Sequence, residues 1–239
     1  MSEPYLLLWL EAPLQAWGHD SKFGRRDSLD FPTKSGVLGL LCNARGAGGK
    51  EQEWLAAWAD MDMQVQAYVR EDSKGQPLLR LPLMRDFHMV GSGFEVKDPW
   101  QTLLIPKKSD GSAAVGGGTK MTYRNYLQDM AYAVALQGPS ALLHDSAEAL
   151  TNPVWDLYLG RKSCVPTEFI AQGVYDAVEK ALAAGAALAV EKKRAMVLHV
   201  RQGEHEGEVL TLNDVPIQFG EHKKYRDRRV TVQKSIINE

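Results

Sequence analysis

Residues 5–44 read YLLLWLEAPLQAWGHDSKFGRRDSLDFPTKSGVLGLLCNA, and the order of textures in this stretch sets the fold. Pro4 to Leu10 carries a continuous apolar run of strand length, bounded by Pro4 and by Glu11-Ala12-Pro13, and predicts a fully buried β-strand. A polar, glycine-containing arm follows from Gly18 to Phe31. Pro32-Thr33 then precedes an amphipathic segment, Lys34 to Ala44, with Val37, Leu38, Leu41 and Cys42 on one face and Thr33 placed to cap it. The arm thus runs into a helix N-terminus.

Working outward, Glu51 to Ala59 predicts a second helix with Trp54, Leu55 and Trp58 inward. Met63 to Val69 alternates as a strand, and Leu78 to Val90 predicts another, placed at an edge by Pro82. From Gly91 to Lys120 the composition shifts to GSG, KKSDG and VGGG around one short apolar group, Leu103 to Ile105, the mark of a protruding hairpin or loop. A buried strand is predicted at Ala131 to Leu136. A helix is opened by Pro139-Ser140 and runs to about Leu150, and a loop follows from Asn152 to Pro166. Gln172 to Ala184 predicts a helix, Arg194 to Arg201 a strand and Val209 to Leu212 a short strand, before a basic tail ending in Val230-Thr231-Val232. No period of 20 to 50 residues repeats, so a solenoid is excluded. The order of elements is that of an α+β fold of the split βαβ kind in one domain, residues 1–239.

A chain of 239 residues with 44% hydrophobic and 24% charged residues has the composition of a soluble globular protein. The six apolar residues of the first strand are too few for a membrane span or a signal-peptide core, which predicts a cytoplasmic protein with no membrane partner. Cys42 and Cys164, each beside apolar residues, predict reduced, buried thiols, and no paired ligand spacing for a metal accompanies them. The net charge of -2 disfavours a polyanion partner, but the charge is unevenly spread. His222 to Lys234 holds six Lys or Arg against one Asp, and Lys97 to Arg124 holds five against two. Phosphate contacts act within about 10 Å, so local surpluses outweigh the total.

The common catalytic signatures are absent. Gly49-Lys50 lacks phosphate-loop spacing, Gly91-Ser92-Gly93 lacks the flanks of a nucleophile elbow, and there is no HExxH and no dinucleotide fingerprint. No cofactor or metal is predicted. One reaction stays open, metal-free RNA cleavage by attack of a 2′-hydroxyl, with His88 as base and Lys120, Tyr123 and Arg124 nearby. Binding has the stronger signal. Lys22, Arg25 and Arg26 lie on the arm with Trp17 and Phe23, and the arm leads into Thr33-Lys34-Ser35-Gly36, where a helix start favours an anion and the side chains can add donors. Asp20, Asp27 and Asp30 offset part of that charge, and Trp17 follows a buried strand directly, which makes it a core residue.

Six blocks in order carry a family resemblance: Tyr5 to Leu10 with Pro13 to Gly18; the basic arm; Phe31-Pro32-Thr33-Lys34-Ser35-Gly36-Val37-Leu38-Gly39-Leu40-Leu41; Arg85-Asp86-Phe87-His88; Tyr123 to Asp129; and Tyr158-Leu159-Gly160-Arg161-Lys162-Ser163-Cys164. Together they resemble the CasD family of subunits of type I-E CRISPR Cascade complexes, within the repeat-associated mysterious protein superfamily. The resemblance implies a ferredoxin-like or RNA-recognition-type antiparallel sheet, helices on one face and a protruding β-hairpin thumb, here residues 88–124, with 213–239 as a basic C-terminal segment. It also implies a non-catalytic subunit that grips the 5′ handle of the CRISPR RNA, caps the backbone subunits, adjoins the large subunit and meets target DNA through the assembled complex. Type I-C relatives are metal-independent ribonucleases, but PTKSGVLGLL is similar to the binding-only form. On this reading Lys34, Ser35, Arg25 and Arg26 would hold handle phosphates. The wider RNA-contact set is Lys22, Arg85, His88, Lys107, Lys108, Lys120, Arg124, Arg161, Lys162, Arg226, Arg228 and Arg229.

Overall fold

The computed structural model describes all residues except 1, 2, 20, 22, 23, 91–96, 101–107, 109, 111, 113–119 and 236–239. Its centre is the run LLLWL. Strand β1 (Tyr5–Glu11) lies inside a seven-stranded antiparallel sheet and is buried on both faces, which is why it does not alternate with polar residues. Leu6, Leu8 and Leu10 face one side, and Tyr5, Leu7 and Trp9 face the other.

The sheet runs β10 (Glu208–Gln218), β11 (Lys224–Lys234), β9 (Arg194–Gln202), β4 (Met63–Arg70), β7 (Ala131–Gln137), β1, β8 (Ala171–Tyr175). Helices α1 (Lys34–Ala44), α2 (Gln52–Ala56) and α3 (Ser140–Thr151) supply Leu38, Leu41, Leu55, Leu143 and Leu150 to the larger core on one face. The α+β antiparallel class is as expected, but the helices do not keep to one face. Helix α4 (Val178–Glu191) covers the other side. β7 alternates large and small for this reason: Tyr132, Val134 and Leu136 fill the thick core, while Ala131, Ala133 and Ala135 let α4 lie close. A Cβ on Gly185 of α4 would stand 2.7 Å from that of Ala133.

A second sheet carries the protruding part. β6 (Lys120–Gln128) pairs with β5 (Met84–Val90), with the short β2 (Leu14–Gln15), and in parallel with β3 (Arg25–Arg26). The expected hairpin therefore has its base in β5 and β6, while most of 91–119, including Lys107, lies outside the described residues.

Besides α2, which stops at Ala56 rather than Ala59, three elements differ from the sequence expectation. The strand predicted from Leu78 begins at Met84, because Pro77 and Pro82 remove ladder donors from an extended stretch. The helix predicted from Gln172 starts at Val178: residues 171–175 extend the sheet on β1, and Gly173 takes φ +114°, outside any helix. The basic C-terminal stretch is not an appended tail. β10 and β11 form a long hairpin, and β11 docks on β9 with Val230, Thr231 and Val232 buried. Cys42 and Cys164 are free and buried, and burial pushes the Cys42 thiol up to about 12. Among the described residues no helix is long and apolar enough to cross a membrane.

Candidate nucleic-acid groove

The arm, the N-terminus of α1, the 158–162 loop and the C-terminal hairpin converge. Thr33 caps α1 as expected, its Oγ1 accepting from Gly36 N–H at 3.1 Å. Gly36 is required here, since a Cβ would stand 2.9 Å from both Thr33 Oγ1 and the Trp17 ring. Trp17 is core, 1% exposed, with its indole N–H donating to Gln15 Oε1. Gly160 is the second obligatory glycine. At φ +93° it lets the loop lie against the arm, where a Cβ would sit 1.7 Å from the Ala16 carbonyl oxygen.

Between these elements lies a cavity of about 900 Å³, lined by Arg26, Ser35, Arg161, Lys223, Tyr225 and His19 and also by the carboxylates of Asp27, Asp214 and Asp227. A second hollow of about 460 Å³ shares Ser35, Gly160, Lys223 and Tyr225 and extends to Trp155 and Tyr158. A third, of about 920 Å³, shares those two aromatics and ends at Lys162. The hollows share lining residues, and together they present cations, aromatic rings and carboxylates along one groove. Among the described residues, Arg26, Lys162 and Lys223 have no carboxylate partner. Unpaired ammonium and guanidinium groups beside open rings suit a single strand, whose phosphates take the charge and whose bases stack.

The predicted contact residues divide sharply. Arg26 faces the groove from β3, which pairs with β6 at Arg124. Arg25 reaches Asp27 at 3.6 Å on the surface. Arg161 lines the groove and also staples it: its two terminal nitrogens donate to the carbonyls of Asn125 at 3.0 Å and Arg26 at 2.8 Å, and its plane lies 4.4 Å from the Tyr126 ring. Ser35 is half-buried and lines both inner hollows, and Lys162 is exposed.

Lys34 overturns its expected phosphate role. Its side chain is fully buried, and the Nζ donates to the carbonyls of Met61 at 2.5 Å and Ala59 at 3.2 Å. Burial, with Arg228 adding repulsion, lowers its pKa to about 8. Arg228 is also withdrawn: it grips Asp214 through Nε at 2.7 Å and Nη2 at 2.9 Å, both residues buried. Its neighbours are engaged as well, Arg226 with Asp60 at 2.5 Å and with the Ala59 carbonyl, and Arg229 with Glu204. The Arg226–Arg229 cluster thus serves the fold before any ligand.

On the β5–β6 hairpin, strand alternation separates two groups. Asp86, His88, Thr122 and Arg124 share one face, and His88 Nε2 meets the Asp86 carboxylate. Arg85, Phe87 and Tyr123 share the other, with the Arg85 guanidinium 4.2 Å from the Tyr123 ring. The suggested gathering of His88 with Tyr123 therefore does not form, since the two point to opposite faces. Lys22, Lys107 and the Lys120 side chain fall outside the described residues, and Lys108 is exposed. Among the described residues no group of three His, Cys, Asp or Glu side chains comes together as a metal site. Lys223, Tyr225, His19 and Trp155 escaped the sequence reading. Only the basic surplus of His222 to Lys234 hinted at the first of them.

The model of a family described as CRISPR-associated protein (Cas_Cas5) matches residues 5–231. The chain is 31% identical over 165 residues to "CRISPR system Cascade subunit CasD" of Escherichia coli (strain K12), a match spanning 67% of this chain and 66%, just under two thirds, of that protein. A solved "CRISPR RNA-guided surveillance complex" contains a chain with TM-score 0.68 and 28% identity, covering 97% of this chain and 90% of that one. A "Crystal structure of Cas protein" superposes with TM-score 0.57 and 26% identity over 98% and 95%. With a family match running through nearly every element described above, the chain belongs to the Cas5 family of CRISPR-associated proteins.

Proposed function

We propose that this chain is a non-catalytic subunit of a type I-E Cascade-type surveillance complex that holds the 5′ handle of the CRISPR RNA and caps the backbone filament beside the large subunit. The observation that carries the reading is the groove, where Arg26, Lys223 and Lys162, with no carboxylate partner among the described residues, share a lining with Tyr225, Tyr158 and Trp155. Such a surface grips a strand through phosphates and tolerates its sequence through stacking. The similarity to a protein named as a Cascade subunit, and to a chain of an RNA-guided surveillance complex, supports the assembly. The hairpin 88–124 is the proposed thumb, residues 213–239 the basic flank of the same single domain, and target DNA is met through the assembled complex. The cytoplasm is the proposed location.

A ribonuclease reading has less support, because Tyr123 lies on the opposite face of the hairpin from His88. The test uses the purified full chain with labelled CRISPR repeat RNA in EDTA. The expected result is binding that weakens steeply between about 50 and 200 mM salt and leaves the RNA intact. Cut RNA, lost on His88→Ala, would establish the ribonuclease instead.

A further inference from the structure

The stretch leading into the hairpin has a pattern the groove does not use. From Leu79 to Met89 every second residue is Leu79, Leu81, Leu83, Arg85, Phe87 and Met89. Five of the six are large apolar side chains, and all five are exposed, Leu79 at 80% and Met89 at 56%. Met121 and Tyr123 of β6, on the same face of the hairpin as Phe87, widen the row. Isolated exposed leucines are ordinary, but Phe87, Met89, Met121 and Tyr123 on one face of the hairpin, with Leu79, Leu81 and Leu83 exposed in the extended stretch that leads into it, form a cluster that marks an interaction surface. Below Leu79 a cavity of about 780 Å³ opens onto Ala67, Met130, Val197 and Leu198, so the ridge has a hollow into which a partner can anchor. Among the described strands β5 pairs with β6 alone, leaving its outer edge unpaired as well.

The chemistry of the occupant follows from the row itself. Leucine and methionine give bases nothing to stack on, and a polypeptide buries them well. Arg85 sits in the middle with no carboxylate partner among the described residues, held flat on Tyr123 at 4.2 Å. Arg80, five residues earlier in the chain, is already neutralised by Asp30 at 2.8 Å. An apolar face with a carboxylate opposite Arg85 is the complement that leaves no charge unpaired.

We propose that the Leu79–Met89 ridge is a protein-docking surface, seated in the assembly against an apolar, acidic face of a second, different subunit. The inference rests on the proposed membership in a multi-subunit complex and not on the RNA groove. It is tested by co-expressing the full chain with the other protein subunits of the CRISPR locus that encodes it and weighing the product by native mass spectrometry. Two variants are compared with wild type, Leu81→Asp and Arg85→Glu. Because both positions are exposed, the isolated variants keep the wild-type melting temperature, and their incorporation falls by about tenfold or more. A partner Asp or Glu changed to Lys restores Arg85→Glu. Incorporation at wild-type level overturns the proposal. So does a Leu81→Asp chain that assembles normally but loses affinity for repeat RNA, which makes the ridge a nucleic-acid surface. A homodimer of the isolated chain that the variants dissociate also overturns it, by assigning the ridge to a second copy. If the wild-type chain joins no other subunit, the membership reading fails and the inference falls with it, whereas failed RNA binding by a chain that still assembles touches only the groove.

Discussion

Two basic clusters meet at the N-terminus of α1 and have opposite fates. Lys34 and Arg228 point inward and are consumed by Asp214 and by backbone carbonyls, while Arg26 and Lys223 point outward and have no partner among the described residues. In the sequence the two sets look alike: Lys34 stands in TKSG and Arg228 in RDRR, as promising for phosphate as Arg26 in GRR. Burial, not residue type, separates structural cations from binding ones. A buried charge must be matched inside the protein, and one in water is free to meet a ligand.

The largest expected effect comes from removing the acid that holds the inner cluster together. Asp214 accepts from the Lys34 backbone N–H at 2.7 Å and from two nitrogens of Arg228, tying β10, β11 and the start of α1 to one carboxylate. Asp214→Ala leaves Arg228 buried without its partner and a helix donor unmet. It is expected to cost about 3–5 kcal/mol, read as a lower urea midpoint. An unchanged midpoint would mean the inner cluster contributes no more than the outer one.

A pH profile sharpens the same contrast. Burial lowers the pKa of Lys34 to about 8, against an ordinary 10.5, so the unfolded chain holds its proton over a range in which the folded chain has released it. Between those two values the unfolded state binds more protons, and stability therefore rises with pH. Relative to Lys34→Met, the wild-type chain gains up to roughly 3 kcal/mol from pH 8 to 10.5, measured as the difference in unfolding free energy at each pH. A flat difference would mean that the ammonium is as stable inside as in water.

How much of this could be foreseen depends on how local the cause is. LLLWL announced a strand buried on both faces, and PTKSGVLGLL announced the capped helix, because both signals lie within a few residues. The inner cluster could not be foreseen. Asp214 lies 180 residues from Lys34 in sequence, and the β10–β11 register shifts between Asn213 and Val215, at the position of this acid. The strand at 171–175 was hidden similarly, since a glycine-containing segment joined to an alanine-rich helix takes its conformation from the edge of β1. The groove was half legible. Arg26 was marked by its basic setting and Arg161 by the family resemblance, whereas Lys223 and Tyr225 reach it only because a hairpin that reads as a basic tail folds back beside the arm.

The smallest effect on stability is paired with a large one on binding. Arg26→Glu with Lys223→Glu reverses two exposed charges that make no ion pair among the described residues, so the unfolding free energy should move by less than about 0.5 kcal/mol. The same change removes two of the proposed phosphate partners and adds two carboxylates to the groove. Affinity for single-stranded repeat RNA should fall by at least about tenfold, and the slope of log affinity against log salt should shrink by roughly 1.4, as expected for two phosphate contacts to a single strand. The slope is the discriminating quantity. Lost affinity with an unchanged slope would mean that the groove was distorted, while a smaller slope at constant stability identifies the outward cations as the ones that hold RNA.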